Sequence, residues 1–175
     1  MVKTICITAA SSKLGKTKLV ERLLPYLNGW AACKVTACVP HGEKGCPRGN
    51  EDTCGVCSSL TENYVIEVSE KIIRQPDTDT DRYSKAGASK VIWVKTKPEH
   101  IGEALKDVFS LCSDYPGIIF EGNHVLNYLK PEISVMLLSP KGYFKPSALE
   151  IKDKVDLFFQ SGAYDEAVTE ICSRL

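Results

Sequence analysis

One stretch limits what this chain can fold into: Ile5-Cys6-Ile7-Thr8-Ala9-Ala10-Ser11-Ser12-Lys13-Leu14-Gly15-Lys16-Thr17, followed at once by Lys18-Leu19-Val20-Glu21-Arg22-Leu23-Leu24. An apolar run rich in β-branched residues stops at a short polar loop, and the loop opens into a leucine-patterned helix. The loop fits the phosphate-binding pattern GxxxxGK[ST], with Ala10 in the first glycine position. Consecutive backbone N–H groups over residues 12–17 can curl around a β-phosphate at the positive end of the new helix. Gly15 permits a tight turn, Lys16 can reach the β- and γ-phosphates, and the Thr17 hydroxyl can hold Mg²⁺. Nucleotide contacts are therefore expected from Ser12, Lys13, Leu14, Gly15, Lys16, Thr17 and Lys18.

The rest of the chain supplies the domain that such a loop requires. At 175 residues, 43% hydrophobic and 25% charged, it is expected to form one domain over residues 1–175 with a substantial core. Twenty-two basic residues balance 22 acidic ones, so no overall field draws it to nucleic acid or to a membrane surface. The chain enters its first strand at Lys3, and no apolar run approaches the roughly 20 residues of a membrane helix. A soluble, cytoplasmic protein without a signal peptide is expected.

Apolar runs alternate with helical patterns. Leucines at 19, 23, 24 and 27 predict a helix over residues 16–27, stopped by Asn28-Gly29. Strands are predicted over 31–39, 64–68, 91–94, 118–122, 133–138 and 155–159, with helices over 98–112, 147–152 and 164–175. The fold class is α/β: a P-loop domain with a mostly parallel sheet, helices on both faces and an inserted Cys-rich loop. With right-handed crossovers, the phosphate loop, the cysteine loop, residues 77–81 and Glu121 are all expected at one edge of the sheet.

Phosphoryl chemistry needs an acid for Mg²⁺ and often a second to position the nucleophile. Glu121 is the leading candidate, because it ends an apolar strand and precedes the turn Gly122-Asn123-His124. Asp77, Asp79 and Asp81 alternate with threonines, and at least one is expected to face the metal, although helix capping competes for such residues. His124 is a candidate phosphate contact or acid–base group, with a plain surface histidine as the rival reading. Lys141 and Lys145 follow a strand where P-loop proteins often read the base. No Asn-Lys-x-Asp pattern occurs there, so GTP and ATP both stay open.

The eight cysteines fall into two sets. Cys6, Cys33, Cys112 and Cys172 lie within apolar periodic segments and read as small buried hydrophobes. The loop over residues 38–60 carries Cys38-x2-His41-x4-Cys46-x7-Cys54-x2-Cys57, several glycines and few large apolar residues. Cys54 and Cys57 have the spacing of a metal knuckle, Cys46 offers a third ligand, and Cys38 or His41 the fourth. Structural zinc would offset the loop's missing core. An iron–sulfur cluster on the four cysteines fits the same residue types, and free thiols or a disulfide are the plain alternatives.

Three motifs together carry a resemblance. Residues 8–17, Asp79-Thr80 ahead of Ala86-Gly87-Ala88, and Phe120-Glu121-Gly122 resemble the molybdopterin-guanine dinucleotide biosynthesis protein B family. That family belongs to a wider set of P-loop proteins including dethiobiotin synthetase and metal-insertion GTPases. The resemblance runs over residues 3–138 in motif order. It implies that Asp79 and Glu121 serve Mg²⁺ and the nucleotide. It also implies a GTP-binding helper in molybdenum cofactor assembly that works with a cofactor-assembly enzyme and can dimerise. Ala10 and the cysteine loop depart from the family pattern.

Three functions are compatible with these residues. The first is a nucleotide-switched accessory factor in metal-cofactor assembly that hydrolyses its triphosphate slowly, with Lys16, Glu121 and Asp79 as the catalytic set. The second is a small-molecule kinase or ligase in which Glu121 or Asp79 positions an acceptor. The third is a non-catalytic sensor of nucleotide and metal.

Overall fold

A computed structural model describes residues 2–38, 60 and 62–175. Seven strands form one sheet in the order β3-β4-β2-β5-β1-β6-β7. They are β1 (Lys3–Ala9), β2 (Ala31–Ala37), β3 (Tyr64–Glu67), β4 (Lys90–Thr96), β5 (Gly117–Glu121), β6 (Ile133–Leu138) and β7 (Leu157–Gln160). The helices among the described residues are α1 (Lys16–Leu23), α2 (Glu70–Ile73), α3 (Asp79–Lys85), α4 (Ile101–Leu111), α5 (Pro146–Leu149) and α6 (Tyr164–Ser173).

The expected mostly parallel sheet covered on both faces is present. Strands β1, β2, β4, β5, β6 and β7 run parallel. Alternate side chains of these strands feed two cores, as the period of two requires. On one face Ile5, Ile7, Ala32 and Ile119 pack under Leu19, Val20 and Leu23 of α1, Tyr83 of α3, and Ala167 and Ile171 of α6. On the other, Cys6, Cys33, Ile92, Phe120 and Met136 pack under Ile101, Ala104, Leu105 and Val108 of α4. Cys6, Cys33 and Cys112 are buried free thiols within that second core, as their apolar setting suggested.

Boundaries differ from the sequence reading by a few residues, for local reasons. Helix α1 gives way to a 3₁₀ turn over Leu24–Tyr26, where Pro25 cannot donate the next helical hydrogen bond. The helix expected from residue 98 begins as a 3₁₀ turn, Pro98–His100, before α4. Residues 147–152 split into α5 and a 3₁₀ turn, Lys152–Lys154.

One correction concerns topology. Strand β3 pairs antiparallel with β4, with Tyr64 opposite Thr96 and Glu67 opposite Trp93. It is a short, half-buried edge strand, the place where an antiparallel strand is easily added to a parallel sheet. Its end therefore points away from the phosphate-loop edge. Asp79 reaches that edge by another route: it opens α3, which leads down to the start of β4.

Candidate nucleotide site

The phosphate loop leaves the end of β1 and curls through two residues of positive φ, Lys13 (61°) and Gly15 (88°). This alternation turns successive N–H groups inward and builds an anion-binding concavity ahead of α1. A Cβ on Gly15 would also collide with the Tyr164 hydroxyl. The loop is braced from α6 and the turn before it: Ser161 Oγ donates to the Leu14 carbonyl at 2.9 Å and Tyr164 Oη to the same oxygen at 3.4 Å. Lys18 Nζ lies 5.3 Å from the centre of the Tyr164 ring, a cation–π contact at the outer side of the loop.

Ala10 replaces a glycine without strain. Among the described residues only Lys13 and Asp77 are non-glycine residues with positive φ, so Ala10 has ordinary backbone geometry. It is fully buried, and its backbone is fully used. Its N–H donates to the Leu137 carbonyl and its own carbonyl accepts from Lys145 N–H, both at 2.8 Å.

Glu121 is the centre of the site. It ends β5, directly beside β1, with Ile7 opposite it on one side and Lys34 of β2 on the other. The side chain is almost wholly buried, 5% exposed. Thr17 Oγ1 donates to its Oε2 at 2.9 Å, and the Tyr83 hydroxyl donates to the same oxygen. Lys34 Nζ lies 3.7 Å and Lys16 Nζ 3.9 Å from its Oε1. Burial alone would push this carboxyl up. Lys34 and Lys16, with the hydrogen bonds from Tyr83 and Thr17, outweigh burial and hold it below the usual carboxylate range. Glu121 is therefore ionised at neutral pH. For Tyr83, burial and the neighbouring Glu121 charge push the phenol well above its ordinary value, so it stays a donor.

Thr17 and Glu121 thus meet as two hard oxygen donors, one charged, at the mouth of the phosphate loop. That pair fits Mg²⁺, which binds through one or two protein oxygens and completes its octahedron with phosphate and water.

Asp79 stands one lysine away. It pairs with Lys34, and its other oxygen lies 3.9 Å from Arg82 Nη1. Arg82 in turn makes a two-pronged contact with Glu21 of α1 at 2.8 and 2.5 Å, tying α3 to α1. The cap of α3 is Thr78, whose hydroxyl accepts from Asp81 N–H at 3.2 Å. Asp81 pairs with Lys85 at 2.6 Å and is committed to that helix. Asp77 is exposed.

His124 is half-buried, and its charged neighbours are Glu150 and Lys145 rather than Glu121. Burial lowers its pKa, and the pull of Glu150 does not reverse this, so the ring is neutral at pH 7. Lys145 does approach the site. Burial, reinforced by the nearby Lys16 charge, lowers it to about 8. Lys141 is exposed.

Lys34, Tyr83 and Asn123 escaped the sequence reading. Lys34 is the only charge within the apolar run of β2, which was the available signal. Asn123 is buried and clamps the base of the phosphate loop: its Oδ1 accepts from Ala9 N–H at 3.0 Å and its Nδ2 donates to the Ala9 carbonyl at 2.9 Å. The glycine before it is required by close approach, because a Cβ on Gly122 would sit 2.9 Å from the Val35 carbonyl oxygen.

Of the cysteine loop, only residues 38 and 60 are described. Cys38 is buried against Leu60 and Trp93. His41, Cys46, Cys54 and Cys57 lie outside the described residues. Among the described residues, no three His, Cys, Asp or Glu side chains form a metal-holding group, and no helix is long and apolar enough to cross a membrane.

No family model matches this chain, and no curated protein matches it. Among solved structures it is similar to the apo form of LpxK from Aquifex aeolicus in complex with ATP, with 18% identity and a TM-score of 0.49. The match covers 93% of this chain and 49% of that one, so the chain spans about half the length of LpxK.

Proposed function

We propose that residues 1–175 act as one P-loop unit that binds a Mg²⁺–nucleoside triphosphate along residues 12–18 and turns it over slowly. One observation carries this reading. The Thr17 hydroxyl and the ionised Glu121 carboxylate meet at 2.9 Å beneath an inward-turned loop, with the Lys16 ammonium beside them. In this reading Thr17 and Glu121 hold Mg²⁺, which when bound neutralises charge on the β- and γ-phosphates. Lys16 leaves Glu121 for the phosphates, and Lys145, which feels the charges of both Lys16 and Glu121, adds a second cation. Titration of Mg²⁺–ATP and Mg²⁺–GTP, followed by an assay of phosphate release, tests the reading. Binding of at least one triphosphate with slow, Mg²⁺-dependent release is expected. A folded protein that binds neither overturns it.

The finer assignment is to a GTP-binding helper in molybdenum cofactor assembly, dimeric and partnered by an assembly enzyme. It rests on the three motifs that resemble the family. A zinc ion held by Cys46, Cys54, Cys57 and either Cys38 or His41, or an iron–sulfur cluster on Cys38, Cys46, Cys54 and Cys57, rests on their spacing. Native mass measurement of the purified protein reads both the bound metal and the oligomeric state.

A second reading, phosphoryl transfer to a small molecule, is favoured by one specific feature. A cavity opens between Lys34, the partner of Glu121, and the turn that joins α2 to α3.

A further inference from the structure

Lys34 is an unusual residue for its position. It occupies the middle of a central strand whose neighbours in sequence are apolar, and its side chain is only 16% exposed. A cation taken out of water at such a site is costly, and an apolar side chain of similar size would serve the sheet as well or better. The cost is offset here by two carboxylates, Asp79 and Glu121, that both pair with the ammonium. A buried ion pair set in a cleft is a functional-site candidate.

The cleft itself is present. A cavity of about 280 Å³ lies between the sheet and the α2–α3 turn. Lys34 and Trp93 form its floor, and Gln75, Asp77, Thr78 and Asp79 form its wall. Lys34 and Trp93 are opposite one another in the β2–β4 register, and Lys34 is opposite Glu121 in the β2–β5 register. One row across the sheet therefore runs from the phosphate loop's partner, Glu121, through Lys34 to the cavity floor.

We propose that this cavity is the acceptor pocket of a phosphotransferase, and that it takes a small hydroxylated molecule whose hydroxyl faces Asp79. The proposal rests on the nucleotide reading above. The volume suits a small molecule. Carboxylates at 77 and 79 and the amide oxygen of Gln75 accept hydrogen bonds, so the wall suits a ligand rich in hydroxyl donors. Trp93, which also lines the cavity, adds an apolar contact. Asp79 is a third exposed and fixed by Lys34, so it can accept the proton of a hydroxyl that reacts.

The transfer balances. The acceptor oxygen forms a bond to the γ-phosphorus as the bond from that phosphorus to the bridging oxygen breaks. The nucleoside diphosphate leaves with the electron pair, and the hydroxyl proton passes to Asp79 and then to water. Lys34 lies between the two reacting partners and counters the charge on the transferred group.

The test uses γ-labelled ATP and GTP with a protein-free ultrafiltrate of a cell extract as the source of acceptors. Wild type is expected to move label into an organic phosphate. Gln75→Trp, which fills the cavity from an exposed wall position, should abolish that product while nucleotide affinity stays within about twofold of wild type. A thermal melt of Gln75→Trp that superimposes on that of wild type, with nucleotide affinity kept, separates blockage from misfolding. Label appearing only as inorganic phosphate, or an organic product unaffected by Gln75→Trp, overturns the acceptor pocket and leaves the nucleotide reading standing. Failure to bind nucleotide at all overturns both, and titration with either nucleotide alone tells the two cases apart.

Discussion

The two faces of the sheet are built from the same strands and serve different ends. Toward α4 the central strands present Cys6, Cys33, Ile92, Phe120 and Met136, an apolar set with no charge among them. One residue along each strand, toward α1 and α3, the register row reads Ile7, Glu121, Lys34 and Trp93. A single-residue step thus separates a plain core from a charged cluster. The face that carries α1 must hold the cluster, because the phosphate loop delivers Lys16 and Thr17 on that side. The other face is left to supply stability. Function and stability are therefore separable by substitution, with Glu121 and Phe120, adjacent in one strand, as the sharpest pair.

Phosphate binding gives the largest expected effect on affinity. Lys16→Ala should reduce triphosphate affinity by two orders of magnitude or more, since charge-assisted hydrogen bonds contribute roughly 1.5–3 kcal/mol each. The melting temperature should barely move, because in the free protein the Lys16 ammonium makes only a 3.9 Å contact with Glu121. Calorimetry and a thermal melt read both. A large stability loss would mean that the cluster, and not the apolar face alone, supports the fold.

The converse variant lies on the other face. Phe120 is fully buried and packs 5.8 Å, centre to centre, from Phe109. Phe120→Ala should cost about 3–5 kcal/mol by leaving a cavity. At a temperature where the variant is folded, nucleotide affinity should match wild type. A variant that is stable but fails to bind would break the comparison.

Tyr83 lies between the two extremes, as a core residue with one polar atom in the cluster. Tyr83→Phe keeps the packing and removes the hydroxyl from Glu121, at a cost of about 1–2 kcal/mol. Glu121 would then lose one of the groups that hold its pKa down. A carboxyl depressed in the folded state stabilises above its unfolded pKa, and that stability is lost as pH falls through the folded value. The variant should therefore lose its acid stability at a higher pH than wild type, which denaturation across the acid range would show. Superimposable acid profiles would mean that Lys34 and Lys16 fix Glu121 without Tyr83.

How much of this was legible in the sequence follows from the range of each interaction. The phosphate loop is local: eight residues between a strand and a helix carry its whole pattern, and a buried Ala10 with ordinary backbone explains the one departure. Glu121 could be read because an acid at the end of an apolar strand must leave the core or work at its edge. Its partner Thr17 lies 104 positions away and came only from the chemistry of Mg²⁺. Lys34 stood out as a charge in an apolar strand, but its role and that of Tyr83 could not be read. Their roles depend on which strand lies beside β5 and how α3 is turned on the sheet, and neither is encoded by local spacing. The direction of β3 was hidden for the same reason, since four half-buried residues pattern alike in either orientation.

Whether a charged Glu121 shares Mg²⁺ with Thr17 is decided by Glu121→Gln. The substitution keeps shape and a hydrogen-bond acceptor while it removes the charge. Triphosphate affinity is to be titrated into wild type and variant, with Mg²⁺ and again with the metal chelated. The account predicts a large loss of affinity in Mg²⁺, at least tenfold, and little change without it. An equal loss in both conditions, or none in either, would contradict it and leave Glu121 a structural residue.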